Sequence, residues 1–256
     1  MNHMKRLLRK NKLFILPTVL CFLIIFTALT IMCVRISINT VISDNIEIWI
    51  NASETVDFFL PLIVCVAYVP CIYILNKKGF AKYASLRSKK VPYMCEQIIR
   101  IMVLTGIFVM LAYYIPLCIS LCLNPACLWD NSRIQNYVFG TYMLDYPYLF
   151  GIIWCLYKGL VASVFVLFGC LAVLISNNVF AASLGPFLYC MAENLVTAML
   201  NMPEYSIVTA LVLNRLSPNV MHVYNYFIGV LTFVIAWIFI LFFVNRGMKA
   251  YAKNVY

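Results

Sequence analysis

The sequence predicts an all-α integral membrane protein with six transmembrane helices. Three observations predict it. Hydrophobic residues make up 64% of the chain and charged residues 11%, a balance that no soluble domain keeps. Uncharged runs long enough to cross a bilayer recur from Phe14 to Val244 with short polar gaps. The positive charge is also clustered. Lys5, Arg6, Arg9, Lys10 and Lys12 precede the first run, Lys77, Lys78, Lys82, Arg87, Lys89 and Lys90 follow the second, and Arg246, Lys249 and Lys253 follow the last. The positive-inside rule assigns all three clusters to the cytoplasm, which requires an even number of crossings and gives an N-in, C-in chain. Seven of the nine acids, Asp44, Glu47, Glu54, Asp57, Asp130, Asp145 and Glu204, then fall in the gaps left outside.

At about 20 residues per crossing the spans are expected at 13–34, 58–75, 98–123, 149–175, 179–200 and 223–244. Residues 2–12 read as a short basic amphipathic helix lying on the inner membrane face, with Met4, Leu7 and Leu8 turned to lipid. The first span is expected to be an uncleaved anchor, because its apolar stretch is too long for a signal peptide and Thr30 to Arg35 offers no small-x-small cleavage site. Arg100 lies close enough to the inner interface for its guanidinium to snorkel. The uncharged stretch 159–192 is too long for one straight crossing at about 1.5 Å per residue, and Ser176-Asn177-Asn178 divides it into a hairpin with a tight inner turn. All 256 residues read as a single transmembrane domain, with no repeat or low-complexity tract.

Several chemistries lack their residues. His3 and His222 are the only histidines, so an intramembrane metalloprotease lacks ligands and a serine hydrolase lacks its base. No G-x-x-x-x-G-K-[ST] occurs, so nothing here cradles a nucleotide. The eleven cysteines show no metal or redox spacing and read as small core residues, with Cys122 and Cys127 the one pair to consider for a disulfide. No catalytic, cofactor-binding or metal-binding residue is therefore assigned, and nucleic acid is not an expected partner. The lipid bilayer is.

Two charges fall inside expected spans, where an ion costs about 2.5 to 3.5 kcal/mol on insertion scales and is by default paired or functional. They are Lys158 and Glu193. Counted from the hairpin turn, their depths differ by about 4.5 Å, level enough to pair. A bridge fastening the hairpin, a polar contact for a cargo or gate, and Lys158 snorkelling outward alone are the readings left open. Pro186 in the fifth span, with Pro61, Pro70 and Pro116 in or near others, predicts either ordinary kinks or a re-entrant break. The stretch 124–148, with Trp129, Tyr137, Phe139, Tyr142, Tyr146 and Tyr148, reads as an interfacial aromatic belt.

The connection from Asn76 to Gln97 is the one sizeable inner loop. Phe80, Tyr83, Ala84 and the stem of Arg87 share a helix face, which predicts either a short amphipathic helix for a partner's groove or a basic loop lying on anionic lipid. Gly79, Ala84-Ser85-Leu86, Ser88-Lys89-Lys90 and Tyr93 match a loop pattern of glycine, short helix, small-leucine stretch, Ser-Arg/Lys and aromatic, although Arg87 stands where that pattern has proline. With six spans, a basic N-terminal helix and an almost absent loop between spans four and five, the chain resembles the permease subunits of type-2 ATP-binding-cassette (ABC) exporters.

That resemblance implies a half-transporter in the bacterial cell membrane. Two six-span permeases, identical or homologous, would form the pathway, and a dimer of cytoplasmic ABC ATPases would bind ATP and Mg, so that this chain itself holds no cofactor. The segment 79–91 would be a cytoplasmic coupling helix, its contacts made by Gly79, Phe80, Tyr83, Leu86, Arg87 and Lys89. The implied cargo is an antimicrobial peptide or a drug-like amphiphile, and a Pro-broken fifth helix would suit the family's outer gate. The rival reading is a membrane sensor or immunity protein that binds a ligand or partner without ATP coupling.

Overall fold

The computed structural model describes residues 2–39, 45–77, 90–123, 137–217 and 219–255, with side chains for 14–38, 45–77, 93–122, 137–217 and 219–242. Its helices among the described residues are α1 (Asn2–Asn39), α2 (Asn45–Lys77), α3 (Lys90–Leu123), α4 (Gly140–Asp145), α5 (Pro147–Ser176), α6 (Val179–Met199), α7 (Ile207–Leu211) and α8 (Val223–Val255), with a 3-10 turn at Pro203–Tyr205. No strand occurs among the described residues. Six of the helices, α1, α2, α3, α5, α6 and α8, are long and apolar enough to cross a membrane.

Side-chain contacts fix how these six run. Tyr68 on α2 donates to Thr18 on α1 at 3.0 Å, while Asn45 and Trp49 at the start of α2 donate to the carbonyls of Ser120 and Tyr113 near the end of α3 at 3.0 and 3.1 Å. Ser163 on α5 donates to the Met102 carbonyl on α3 at 2.8 Å. Tyr189 on α6 packs edge-on against Phe233 on α8 with centroids 5.3 Å apart, and Phe233 also meets Phe165 on α5 at 4.8 Å. Consecutive spans therefore alternate in direction. The start of α1, the end of α2, the start of α3, the α5–α6 turn and the end of α8 lie at one end of the bundle, here the proximal end. The end of α1, the start of α2, the end of α3, α4 and residues 200–217 lie at the other, the distal end.

α2 and α5 form the centre. Along α2 the residues Trp49, Ser53, Asp57, Leu60, Val64 and Tyr68 make one buried stripe at steps of three and four, the spacing that brings side chains onto a single helix face. Lipid tails are as apolar as leucine, so helices in a bilayer associate by close packing and small residues rather than by escape from water. The α3–α5 crossing uses this device. Gly106 and Gly159 face each other so closely that a Cβ on Gly159 would meet the Gly106 carbonyl, and a Cβ on Gly106 would lie 2.9 Å from Ser163 Oγ. The outward faces of α1, α6 and α8 carry rows of exposed aliphatic and aromatic side chains, as lipid-facing surfaces should.

The expected hairpin forms at its expected turn. Asn177 ends α5 in the left-handed region (φ 56°), which asparagine tolerates better than most residues, and Asn178 caps α6 by accepting from the Ala181 amide at 3.2 Å. Two expectations need correction. Residues 2–12 are not a separate helix, because α1 runs unbroken from Asn2. The second spanning helix begins at Asn45 rather than 58, which takes Glu47, Glu54 and Asp57 out of a connection and into α2. Of the two readings of Pro186, the ordinary intrahelical proline holds, because α6 is continuous through it; past the end of α6, Asn201 takes a positive φ of 55°.

Candidate functional site

Two polar assemblies stand out in this apolar bundle. The deeper one is built on Lys158, which is completely buried about 17 Å into α5 from its distal end at the helical rise. Its ammonium donates to Asp57 Oδ2 at 2.7 Å, Asp57 Oδ1 at 2.8 Å and Ser53 Oγ at 3.1 Å, one acceptor for each of its three protons. Tyr113 on α3 donates to Asp57 Oδ1 at 2.7 Å, and Ser53 lies 3.2 Å from Oδ2. The rings of Tyr113, Trp49 and Trp154 stand 4.5, 5.6 and 5.9 Å from the ammonium and offer it their electron-rich faces. Both ions are thus dry, paired and hydrogen-bonded, the condition under which their attraction offsets the loss of hydration. The pair joins α2, α3 and α5 at one point.

The second assembly organises the distal end. Glu193, near the end of α6, accepts from Ser206 Oγ at 2.9 Å and from the Ile207 amide at 3.3 Å. Ser206 is the N-cap of α7 and accepts in turn from the Val208 amide at 3.2 Å. Glu193 therefore satisfies donors that open a short helix, and its charge suits the positive end of that helix. α7 is buried along its whole length and lies under the start of α8, where a Cβ on Gly229 would sit 2.8 Å from the Ser206 carbonyl. Asn214 ties the next residues to α2 by donating to Asn51 Oδ1 at 2.6 Å.

Arg215 follows, and its Nη2 donates to Asn194 Oδ1 at 2.6 Å. Burial pulls its guanidinium below the ordinary arginine range, an effect opposed by the carboxylates of Glu193 and Glu54. Between α2 and the α6–α7 segment lies a cleft of about 380 Å³, with Glu54, Thr55, Asn194 and Arg215 around its polar part and Phe58, Phe59, Val208 and Val212 around the rest. Glu54 and Arg215 act on each other electrostatically but form no ion pair. Among the described residues no cluster of three or more His, Cys, Asp and Glu side chains could hold a metal ion.

Comparison with family models, with curated proteins and with solved structures finds no match. The site is therefore read from its own geometry. Both intramembrane charges expected from the sequence are functional in the packing sense, but they do not meet. Lys158 pairs with Asp57, and Glu193 caps α7. The level-depth argument fails because depth along two helices says nothing about which faces they turn to one another. Lys158 faces α2 and α3. The signal that finds its partner was present: Trp49, Ser53 and Asp57 follow each other at steps of four and continue the apolar face of α2.

Ser206, Asn214 and Arg215 fall in the gap between the fifth and sixth expected spans and are not among the residues that the sequence singles out. Gly79, Phe80, Tyr83, Leu86, Arg87 and Lys89 lie outside the described residues, as do Trp129 and Cys127. Cys122 carries a free thiol 4.0 Å from the Tyr148 hydroxyl. Tyr142, Tyr146 and Tyr148, at the distal end, are exposed, as an aromatic belt requires.

Proposed function

We propose that this chain is the permease subunit of an ATP-driven exporter of the ABC type in the bacterial cell membrane. In this reading the proximal end is cytoplasmic, the segment 79–91 docks on separate ATPases that bind ATP and Mg, and a second six-span permease completes the pathway. The cargo is an antimicrobial peptide or a drug-like amphiphile. The observation that supports this best is the contrast between the two ends of the bundle. The helix ends that adjoin the three basic clusters of the sequence lie at the proximal end, together with the tight Asn177 turn. The distal end is built up by α4, the 3-10 turn and α7, and it holds the charged cleft. Such a division suits a chain that receives work at one face and handles cargo at the other.

The cleft also favours the rival reading, in which the chain binds a ligand and transports nothing. Replacing Phe80 and Tyr83 together by Asp separates the two, because it places charge on the face expected to enter a partner's groove. Export of the cargo should be lost with the folded yield unchanged. Unimpaired export in that variant would overturn the coupling role of the loop.

A further inference from the structure

The distal cleft holds two opposite charges that are left without each other. Glu54 on α2 is exposed and makes no hydrogen bond or ion pair among the described residues. Arg215 spends Nη2 on the neutral Asn194, has no carboxylate within ion-pair distance, and keeps Nη1 without a partner. Both line one cavity of about 380 Å³, which is within the usual range of about 300–1,000 Å³ for small-molecule sites. Charges of opposite sign on the walls of one cleft, close enough to act on each other but not joined, match a ligand that carries both signs.

The apolar part of the cleft gives that ligand a direction. α2 runs inward from the distal end, so Phe58 and Phe59 lie about one turn deeper than Glu54. α6 runs outward, so Phe187 lies about two turns deeper than Asn194. The three rings meet: Phe59 stacks on Phe187 with centroids 5.9 Å apart and planes 18° apart, and Phe58 stands edge-on to Phe187 at 6.2 Å. Phe59 is 42% exposed. Polar groups thus sit toward the distal boundary, and an aromatic wall open at its side lies beneath them, toward the bilayer interior.

We propose that this cleft binds a zwitterionic amphiphile of the phosphoethanolamine type. Its phosphate would lie at Arg215 and Asn194, its amine at Glu54, and its tail along Phe58, Phe59 and Phe187. A membrane lipid and a lipid-like cargo share this chemistry. The proposal concerns the distal face alone and holds whether or not an ATPase binds the proximal one.

The test uses the full chain in a neutral maltoside detergent, with native mass spectrometry to count retained lipid and thermal melts to follow stabilisation. The probes are phosphatidylethanolamine, phosphatidylglycerol and the soluble head group glycerophosphoethanolamine. Phosphatidylethanolamine should be retained at one per chain and raise the melting temperature more than phosphatidylglycerol, which lacks the amine. Glu54→Gln should weaken phosphatidylethanolamine binding about tenfold, the scale of one charge-assisted contact, and leave phosphatidylglycerol unaffected. Arg215→Gln should weaken both. Because Arg215 also holds Asn194 and its loss could unsettle the fold, Glu54→Gln carries the test by itself: Glu54 is exposed and makes no hydrogen bond or ion pair among the described residues. Equal binding of the two lipids, no effect of Glu54→Gln, or no retained lipid would overturn the proposal. Protection by the soluble head group equal to that by the lipid would overturn the role given to the three rings. A lipid-like cargo would compete with phosphatidylethanolamine for the site and be expelled on transport, whereas a resident lipid would remain bound.

Discussion

Lys158 is the residue on which the packing most depends. An ammonium at 0% exposure among apolar helices is tolerable only because Asp57, Ser53 and three aromatic faces surround it. Removing one partner strands the other. Asp57→Asn and Lys158→Met should therefore each cost about 3–5 kcal/mol, seen as lower folded yield and lower thermal stability in detergent. The double replacement Asp57→Leu with Lys158→Met should recover most of the loss. Lys158→Met and Glu193→Gln should instead add within about 0.5 kcal/mol, because the two side chains share no partner. That Lys158 needed a counter-ion was legible in the sequence, since the cost of a lone intramembrane cation is general. Its identity is hidden there because the expected second span begins at 58 and leaves Asp57 in a connection, and a residue assigned to water is not sought as a buried partner.

At the scale of elements, close approach and capping decide what a substitution does. Gly159 lies against backbone, which cannot move aside, so Gly159→Val should push α3 and α5 apart and lower stability by about 1–3 kcal/mol. Gly106→Ala should cost less, because the nearest atom is the hydroxyl of Ser163, which can rotate at the expense of its bond to the Met102 carbonyl. Ser206→Ala removes the cap of α7 and a donor to Glu193, for a loss of about 1 kcal/mol. Hydrogen exchange should show it as faster opening confined to 203–213, with the α2–α3–α5 centre unchanged.

These elements were unequally readable. The α5–α6 hairpin was legible because two asparagines interrupt a long uncharged run at the point where a crossing must end. α7 was not, because five residues complete barely more than one turn and show no periodicity. Its place is fixed by contacts with Glu193, Tyr157 and α8, which are distant in sequence; the Tyr157 hydroxyl, for example, lies 3.2 Å from the Ala210 carbonyl.

For the whole molecule, six alternating spans put Asn177 and Val220 at opposite ends. Single cysteines at these positions, in a background without the native eleven, should be labelled by a membrane-impermeant thiol reagent from opposite sides, Asn177→Cys from the cytoplasm. The number of the spans follows from composition, because the bilayer makes the same demand of every crossing helix, but their limits do not, since α2 begins at Asn45, well before its uncharged run. Which faces meet, and where the distal chain folds back, depends on side chains far apart in sequence and was not legible there. The direct test of the proposed function is to isolate the chain from its native membrane in mild detergent and assay the preparation for vanadate-sensitive ATP hydrolysis. An ATPase should co-purify and its activity should disappear when Phe80 and Tyr83 are both replaced by Asp. A chain that purifies alone, with no such activity, would contradict the account.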